Sequence, residues 1–292
     1  MGSVIVTKRE LYVSTGTLVG RSNGYNYRRA MREIAELREK ELCTGLELMM
    51  LQAYYDQPDQ VAEAVLTCGV VPAVIHCEKE VGTVLSDAGK AFAEGENDAG
   101  RALTSQAEEW FRLNCAMAER LGIRRMVLHL WGGRTSDRFV AYNISRLSTL
   151  NAMARESGVR LLIENVPSTD ADPRSNWKRC LPQLGDAGLI FDTRFGQLHE
   201  QTGDILTDPE LAPLIEHVHI SDFGGTCRDF SALRPILHPG EGKVDFPEVS
   251  RLLDGMGYRG TVTLESPVMV GEELDIPKLE RTLRYLRGLL CE

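Results

Sequence analysis

Six short apolar runs in this sequence each end in an acidic residue or a histidine. The runs are VPAVIH, RRMVLH, VRLLIE, AGLIFD, IEHVH and GTVTLE, and their last residues are His76, His129, Glu164, Asp192, His219 and Glu265. Each run has the length and composition of a buried β-strand. If these strands share one sheet and one direction, they gather imidazoles and carboxylates at a single edge. The recurrence therefore constrains both the fold and the chemistry.

Strand-like and helix-like segments alternate along the whole chain. Eight strand-like runs lie near 10–15, 45–50, 71–76, 125–131, 159–164, 188–192, 216–221 and 261–265. Helical patterns lie near 28–42, 58–68, 101–121, 142–157, 177–185, 204–214, 246–256 and 277–290. Because parallel strands need crossover helices and closure removes both sheet edges, these units predict a (β/α)8 TIM barrel. A doubly wound open sheet is disfavoured, since STGTLVG after the first strand is not a glycine-rich phosphate loop.

Side-chain alternation places the polar strand ends on one side of the sheet. In LLIEN, HVHIS and GTVTLE, branched apolar residues alternate with the positions that lead to Glu164, His219 and Glu265. The apolar set is suited to packing on helices, so the polar set points into the barrel. The carboxyl ends of the strands form the catalytic face of such barrels.

Length and composition favour a single enzyme domain over residues 1–292. The content of hydrophobic residues, 43%, is sufficient for a large core, and no linker-like composition divides the chain. The net charge of −9 argues against nucleic acid as a partner. No membrane-length apolar stretch or secretory signal is recognisable, and the seven cysteines form no CxxC pair, so we expect a cytoplasmic protein without a disulfide framework.

The polar strand ends together predict a metal site. Burying Glu164, Asp192 and Glu265 near one another is unfavourable unless a cation neutralises them, and His219 supplies an imidazole in the same region. We therefore expect one divalent metal ion. A mixed imidazole and carboxylate set favours zinc or manganese, with magnesium or cobalt as alternatives. His217 is interpreted as structural, and Glu47 either as structural or as support for the site.

The order of the short motifs carries a family resemblance. The motifs are STGTL, GLELM, strands ending in IH and VLH, IEN, FDT, HVHISD, PGEGKVDFPEV and GMGYRGTVTLES. This series resembles the xylose isomerase-like TIM-barrel superfamily, which includes sugar phosphate isomerases and epimerases and relatives of AP endonuclease IV. The resemblance covers nearly the whole chain. It implies that the metal ligands are Glu164, Asp192, His219 and Glu265, and that His76 and His129 line the same pocket.

Three departures from the superfamily pattern bear on function. DTRF places Phe195 where a histidine often follows the strand-six aspartate, and the role of the nearby His199 stays open. Asp229 and His238 are too far apart to match the Asp-x-His pair of the nuclease branch. SDFGG follows His219 without the arginine that is typical of ketose 3-epimerases. The pattern therefore identifies the superfamily better than the substrate.

The site residues favour proton transfer next to a carbonyl group. Glu164 and Glu265 are the predicted catalytic acid and base, since they lie on different strands around one metal. The predicted substrate contacts are His76, His129, Trp131, Arg194 and His238, the last in a loop, RPILHPGEG, that is expected to cover the mouth.

The predicted activity is that of a metal-dependent sugar or sugar-phosphate isomerase or epimerase. A dehydratase or lyase acting on a polyol or keto-acid, a zinc phosphodiesterase of the AP endonuclease type and a non-catalytic binding protein remain alternatives. The expected partner is a small sugar or sugar phosphate, with no membrane and no nucleic acid. Whether the chain forms a homo-oligomer is left open.

Overall fold

Eight parallel strands form a closed barrel in the order β1 to β8. The computed structural model describes residues 9–70 and 72–292. The strands are β1 Glu10–Ser14, β2 Gly45–Met49, β3 Pro72–His76, β4 Arg125–Leu128, β5 Arg160–Glu164, β6 Gly188–Asp192, β7 Ile215–Ile220 and β8 Thr261–Leu264. Each predicted strand is present, although Val71 of the third prediction lies outside the described residues. The architecture confirms the predicted TIM barrel, while the single-domain assignment of residues 1–292 stays a prediction.

Helices follow the strands and agree closely with the predicted ranges. They are α1 Tyr27–Glu39, α2 Pro58–Thr67, α3 Glu80–Ala93, α4 Asn97–Leu121, α5 Val140–Glu156, α6 Pro173–Leu184, α7 Thr193–Leu198, α8 Thr202–Leu206, α9 Phe246–Gly255 and α10 Ile276–Leu286. The helix predicted near 204–214 is instead α8 followed by a short 3₁₀ turn, Ala212–Leu214. Pro209 and Pro213 lie in this segment, and proline lacks the backbone donor that a continuous helix needs.

The predicted helices do not include α3, which packs closely on its neighbours. Gly82 lies so close to β4 that an added Cβ would stand 2.0 Å from the carbonyl oxygen of His129. A Cβ at Gly89 would stand 2.9 Å from the Cβ of Phe139. Close approach therefore requires glycine at these two positions, although Val81, Leu85 and Ala88 keep the apolar spacing of a buried helix face. The short helix α7 and a small hairpin, β9 Met269–Val270 and β10 Glu273–Leu274, are also unpredicted.

Contacts group the described residues into two compact units. The first unit comprises the described chain up to Leu48, together with Asp59–Pro72 and Asp192–Glu292. The second unit comprises Met49–Pro58 and Ala73–Phe191. None of the described helices is long and apolar enough to cross a membrane.

An apolar cluster in the second unit explains the direction of its polar strand ends. Val74, Val127, Leu162 and Ile190 come from β3, β4, β5 and β6 and pack together without exposure to solvent. Three of them precede a polar strand end by two residues within this unit, namely His76, His129 and Glu164. Because strand side chains alternate with a period of two, these polar residues point to the same side as the cluster. The sequence-based assignment of Glu164 to the inner face agrees with this packing.

Candidate metal and proton-transfer site

The first unit holds a buried chain of imidazole and carboxylate groups. Oε2 of Glu47, on β2, lies 2.8 Å from Nε2 of His217 and 3.1 Å from Nε2 of His219. The other ring nitrogen of His219, Nδ1, lies 3.5 Å from Oε2 of Glu265. Neither Glu47 nor His219 is exposed to solvent. The imidazole of His219 therefore lies between two carboxylates, those of Glu47 and Glu265.

The protonation of this chain follows from its neighbours. Burial alone would raise the pKa of Glu47, but the adjacent His219 and His217 outweigh burial and hold that pKa well below its usual range. Glu47 is therefore an acceptor, and Nε2 of His219 must be the donor of their hydrogen bond. The other ring nitrogen of His219, Nδ1, faces Glu265. Glu47 orients a candidate ligand, a role that the sequence left open.

Asp192 lies at the end of β6 in the same unit. Its Oδ1 accepts a hydrogen bond from the backbone N–H of Phe195, 2.8 Å away, at the start of α7. The hydroxyl of Thr193 donates to the carbonyl of Ser221 at 2.7 Å and accepts from the N–H of Ser221 at 3.1 Å. These bonds join the chain just beyond Asp192 to the chain just beyond β7. They hold the residue after Asp192 next to the end of the strand that carries His219.

The second unit contains a histidine and glutamate cluster of its own. Oε2 of Glu164 lies 2.6 Å from Nε2 of His129 and 3.4 Å from Nε2 of His76. The two imidazole rings meet edge to face, with centroids 5.0 Å apart. Burial lowers the pKa of His129 to about 4, although Glu164 opposes this effect, so His129 is neutral at pH 7. The structure thus places both predicted pocket histidines against a predicted catalytic carboxylate.

The donor groups fit a divalent cation. Oε1 of Glu265 is buried and has no hydrogen-bond partner among the residues that the structure describes. An unpaired carboxylate oxygen is costly to bury, and a metal ion is a common way to satisfy it. In each unit, one histidine and glutamate set has ligand atoms within 4.8 Å of one another: Glu47, His217 and His219 in the first, and His76, His129 and Glu164 in the second. Buried acidic and histidine residues therefore form a possible metal site.

The remaining predicted substrate residues differ in their surroundings. Trp131 is buried, and its indole N–H donates to the carbonyl of Pro167 at 3.3 Å. His238 uses both ring nitrogens, each at 3.0 Å, with the hydroxyl of Thr282 and the carbonyl of Pro267. These bonds favour a role of His238 in holding its loop, and its substrate contact stays a prediction. His199 is buried and stacks edge to face on Phe230, with centroids 6.0 Å apart.

Sequence reasoning missed the residue that organises the loop after β7. Asp222 accepts four backbone hydrogen bonds of 2.7 to 3.0 Å, from Phe223, Gly240, Gly242 and Val244. Its own N–H donates to the carbonyl of Leu237 at 2.9 Å. The motif HVHISD contains this aspartate directly after the strand, which was the available signal. Asp222 fixes the loop that carries both His238 and Arg234.

Comparison with known proteins agrees with this architecture. The family model described as the xylose isomerase-like TIM barrel matches residues 21–289. An uncharacterized protein of Methanocaldococcus jannaschii is 26% identical over 142 residues, which are 48% of this chain, and the match spans about half, 53%, of that relative.

Two solved structures share the fold at low sequence identity. D-psicose 3-epimerase of Clostridium cellulolyticum H10, crystallised with D-tagatose, is 13% identical, with a TM-score of 0.69 over 96% of this chain and 99% of that one. The 3-keto-D-glucoside 4-epimerase of E. coli is 15% identical, with a TM-score of 0.66 over 96% of this chain and 99% of that one. With the family model matched over most of its length, the chain belongs to the xylose isomerase-like TIM barrel family.

Proposed function

We propose that this protein is a divalent-metal-dependent isomerase or epimerase of a sugar or sugar phosphate. The observation that carries the proposal is the buried chain Glu47, His219 and Glu265, which ends in a carboxylate oxygen without a hydrogen-bond partner among the described residues. Solved structures with the same fold include sugar epimerases that act at carbon 3 and at carbon 4. Fold alone does not select a reaction, so the argument depends on the site residues.

The proposed ligands are Glu164, Asp192, His219 and Glu265. Glu164 and Asp192 end β5 and β6, His219 is the last residue but one of β7, and Glu265 directly follows β8. These are consecutive strands of the closed barrel. The carboxyl ends of such strands form one mouth, where active sites of this architecture lie. Three carboxylates and one imidazole suit zinc or manganese, and also admit magnesium or cobalt. A divalent cation bound there would polarise a substrate carbonyl and an adjacent hydroxyl.

Proton transfer is assigned to the two glutamates. Glu164 and Glu265 come from strands β5 and β8, so we place them on different sides of the bound substrate. One carboxylate removes the proton from the carbon next to the carbonyl, and the other returns a proton to the neighbouring carbon or to the opposite face. Nε2 of His129, whose ring burial keeps neutral, lies 2.6 Å from Oε2 of Glu164 and orients that carboxylate.

The surrounding residues are assigned to substrate binding. His76 and His129 are placed against substrate hydroxyls, Trp131 against an apolar face, and Arg194 against a charged group. His238 is kept as a predicted contact, in a loop that Asp222 holds in place. The cytoplasmic location of the protein remains a prediction.

Metal analysis combined with a sugar panel tests the proposal. Protein purified without chelator is expected to contain about one divalent ion per chain and to interconvert at least one ketose or ketose phosphate. Chelation should abolish turnover, and added manganese or zinc should restore it. Asp192→Asn and His219→Ala should lose metal, whereas Glu94→Gln, an exposed partner of Lys90 on α3, should keep it. Retained metal in both ligand variants, or turnover that survives chelation, would refute the assignment.

A further inference from the structure

Arg194 carries a buried positive charge that no described carboxylate neutralises. Only 5% of the residue is exposed, and Nη1 donates a hydrogen bond to the carbonyl of Leu233 at 3.2 Å. Nε is buried and has no partner among the residues that the structure describes. The guanidinium carbon also lies 4.6 Å from the centroid of the Phe195 ring. Apart from the carbonyl of Leu233 and the ring of Phe195, the described residues offer no partner to the five N–H donors of the Arg194 guanidinium, so most of these donors are unused.

Arg234 places a second cation near the first. It directly follows Leu233, whose carbonyl binds Arg194, and it retains exposure to solvent. Partial burial and the charge of Arg194 lower the pKa of Arg234, whereas Glu265 raises it. Arg234 is therefore within electrostatic range of both Arg194 and a proposed catalytic carboxylate. Two neighbouring cations repel each other unless an anion lies between them.

The loop that carries Arg234 is held in a defined conformation. Asp222 binds the N–H groups of Gly240, Gly242 and Val244 at 2.8 to 3.0 Å, which closes the loop at its base. The hydroxyl of Ser266, next to Glu265, donates to the carbonyl of Leu237 at 2.8 Å and ties the loop to the chain after β8. The loop that carries Arg234 is therefore tied at its base to the chain that follows Glu265.

We propose that Arg194 and Arg234 bind an anionic group of the substrate, so that the substrate is a phosphorylated or acidic sugar rather than a neutral one. Guanidinium groups present paired donors that match the oxygens of phosphate and carboxylate. The assignment to a substrate rests on the proposed function, whereas the anion site itself does not.

Anion binding can be measured without turnover. Metal-replete protein is titrated with inorganic phosphate and, separately, with glycolate by isothermal titration calorimetry. We expect saturable binding of at least one probe, weakened about tenfold or more in Arg194→Gln and in Arg234→Gln. Arg251→Gln removes the same charge from the exposed face of α9, where Arg251 pairs with Glu248, and should change the affinity by less than about twofold. The stronger probe identifies the substrate group as phosphate or carboxylate.

The outcomes separate this inference from the proposed function. Wild-type protein that binds neither probe, or Arg194→Gln and Arg234→Gln variants with wild-type affinity, would overturn the anion site. Because Arg234 is exposed, its variant keeps the test valid even if Arg194→Gln unfolds. Arginine-dependent binding without any sugar turnover would leave the anion site standing and refute the isomerase assignment. Turnover of neutral ketoses that neither substitution affects would leave the isomerase assignment standing and refute the anion site.

Discussion

Asp137 offers a quantitative test of how the loops beside the site are held. Its Oδ1 accepts hydrogen bonds from the N–H groups of Thr169 at 2.7 Å and Asp170 at 2.9 Å. Its Oδ2 accepts from the N–H of Ala171 at 2.8 Å and from the side-chain amide of Asn176 at 2.9 Å. A single carboxylate thus joins the loop after β4 to the loop after β5, beyond His129 and Glu164.

The magnitude follows from the pKa of this carboxyl. Burial alone would raise the pKa of Asp137, but the hydrogen bonds it accepts from Asp170, Ala171 and Asn176 lower it from 3.8 to about 2. Each unit of difference between the folded and unfolded pKa corresponds to about 1.4 kcal/mol, so the ionised form contributes roughly 2 kcal/mol to the free energy of unfolding. Asp137→Asn should remove about that amount, because the side-chain NH2 group of the new asparagine would face N–H groups that need an acceptor.

Urea unfolding of the wild type and Asp137→Asn measures this difference. Because the folded pKa is the lower one, the contribution should be complete above about pH 4 and should disappear as the pH falls towards 2. Asp170→Asn is the matched control, since Asp170 is exposed and its pairing with Arg138 should contribute under about 0.5 kcal/mol. A loss in Asp137→Asn no larger than that of the control, or one that does not shrink below pH 4, would refute the reasoning.

Three further substitutions test other contacts. Glu47→Gln should weaken metal affinity by about 10- to 100-fold, because it removes the carboxylate that orients His219. The affinity is measured by competition with a chromophoric chelator, and a value equal to that of Glu94→Gln would contradict this role of Glu47. Gly242→Ala should lower the melting temperature, because the added Cβ would stand 2.5 Å from Oδ1 of Asp222. Gly255→Ala is the control and should leave the melting temperature unchanged, since no atom lies within 4 Å of its added carbon. Equal melting temperatures of the two variants would contradict the clash at Gly242. His238→Ala should raise KM or lower kcat with metal content intact, and unchanged kinetics would leave His238 only its bonds to Thr282 and Pro267.

The sequence predicts the strands and the residues at their ends well, because apolar runs with a period of two have a direct structural meaning. The predicted helices omit α3, although Val81, Leu85 and Ala88 keep a helical apolar spacing. The close approach of Gly82 to the chain after β4 is a tertiary contact that no local spacing indicates. The contact between Glu47 and His219 joins residues 172 positions apart, so no local spacing indicates it.

Loop residues are harder still to assign from sequence. Asp222 and Arg234 act through backbone groups and charges that only the folded loop brings near. For His238, the sequence suggests more than the structure supports. A histidine in a glycine-rich loop suggests a substrate contact, yet both of its ring nitrogens bind the protein itself.

Solvent deuterium exchange tests the central claim, which is metal-dependent proton transfer at carbon. Metal-replete protein is incubated in deuterium oxide with a panel of ketoses, ketose phosphates and sugar acids, and exchange is followed by proton NMR. The account predicts deuterium at the carbon next to the carbonyl of at least one sugar, lost in Glu164→Gln and Glu265→Gln variants that are shown to retain metal. Cleavage of abasic-site DNA that is lost in Asp192→Asn and His219→Ala, with no carbon exchange in any sugar, would contradict it.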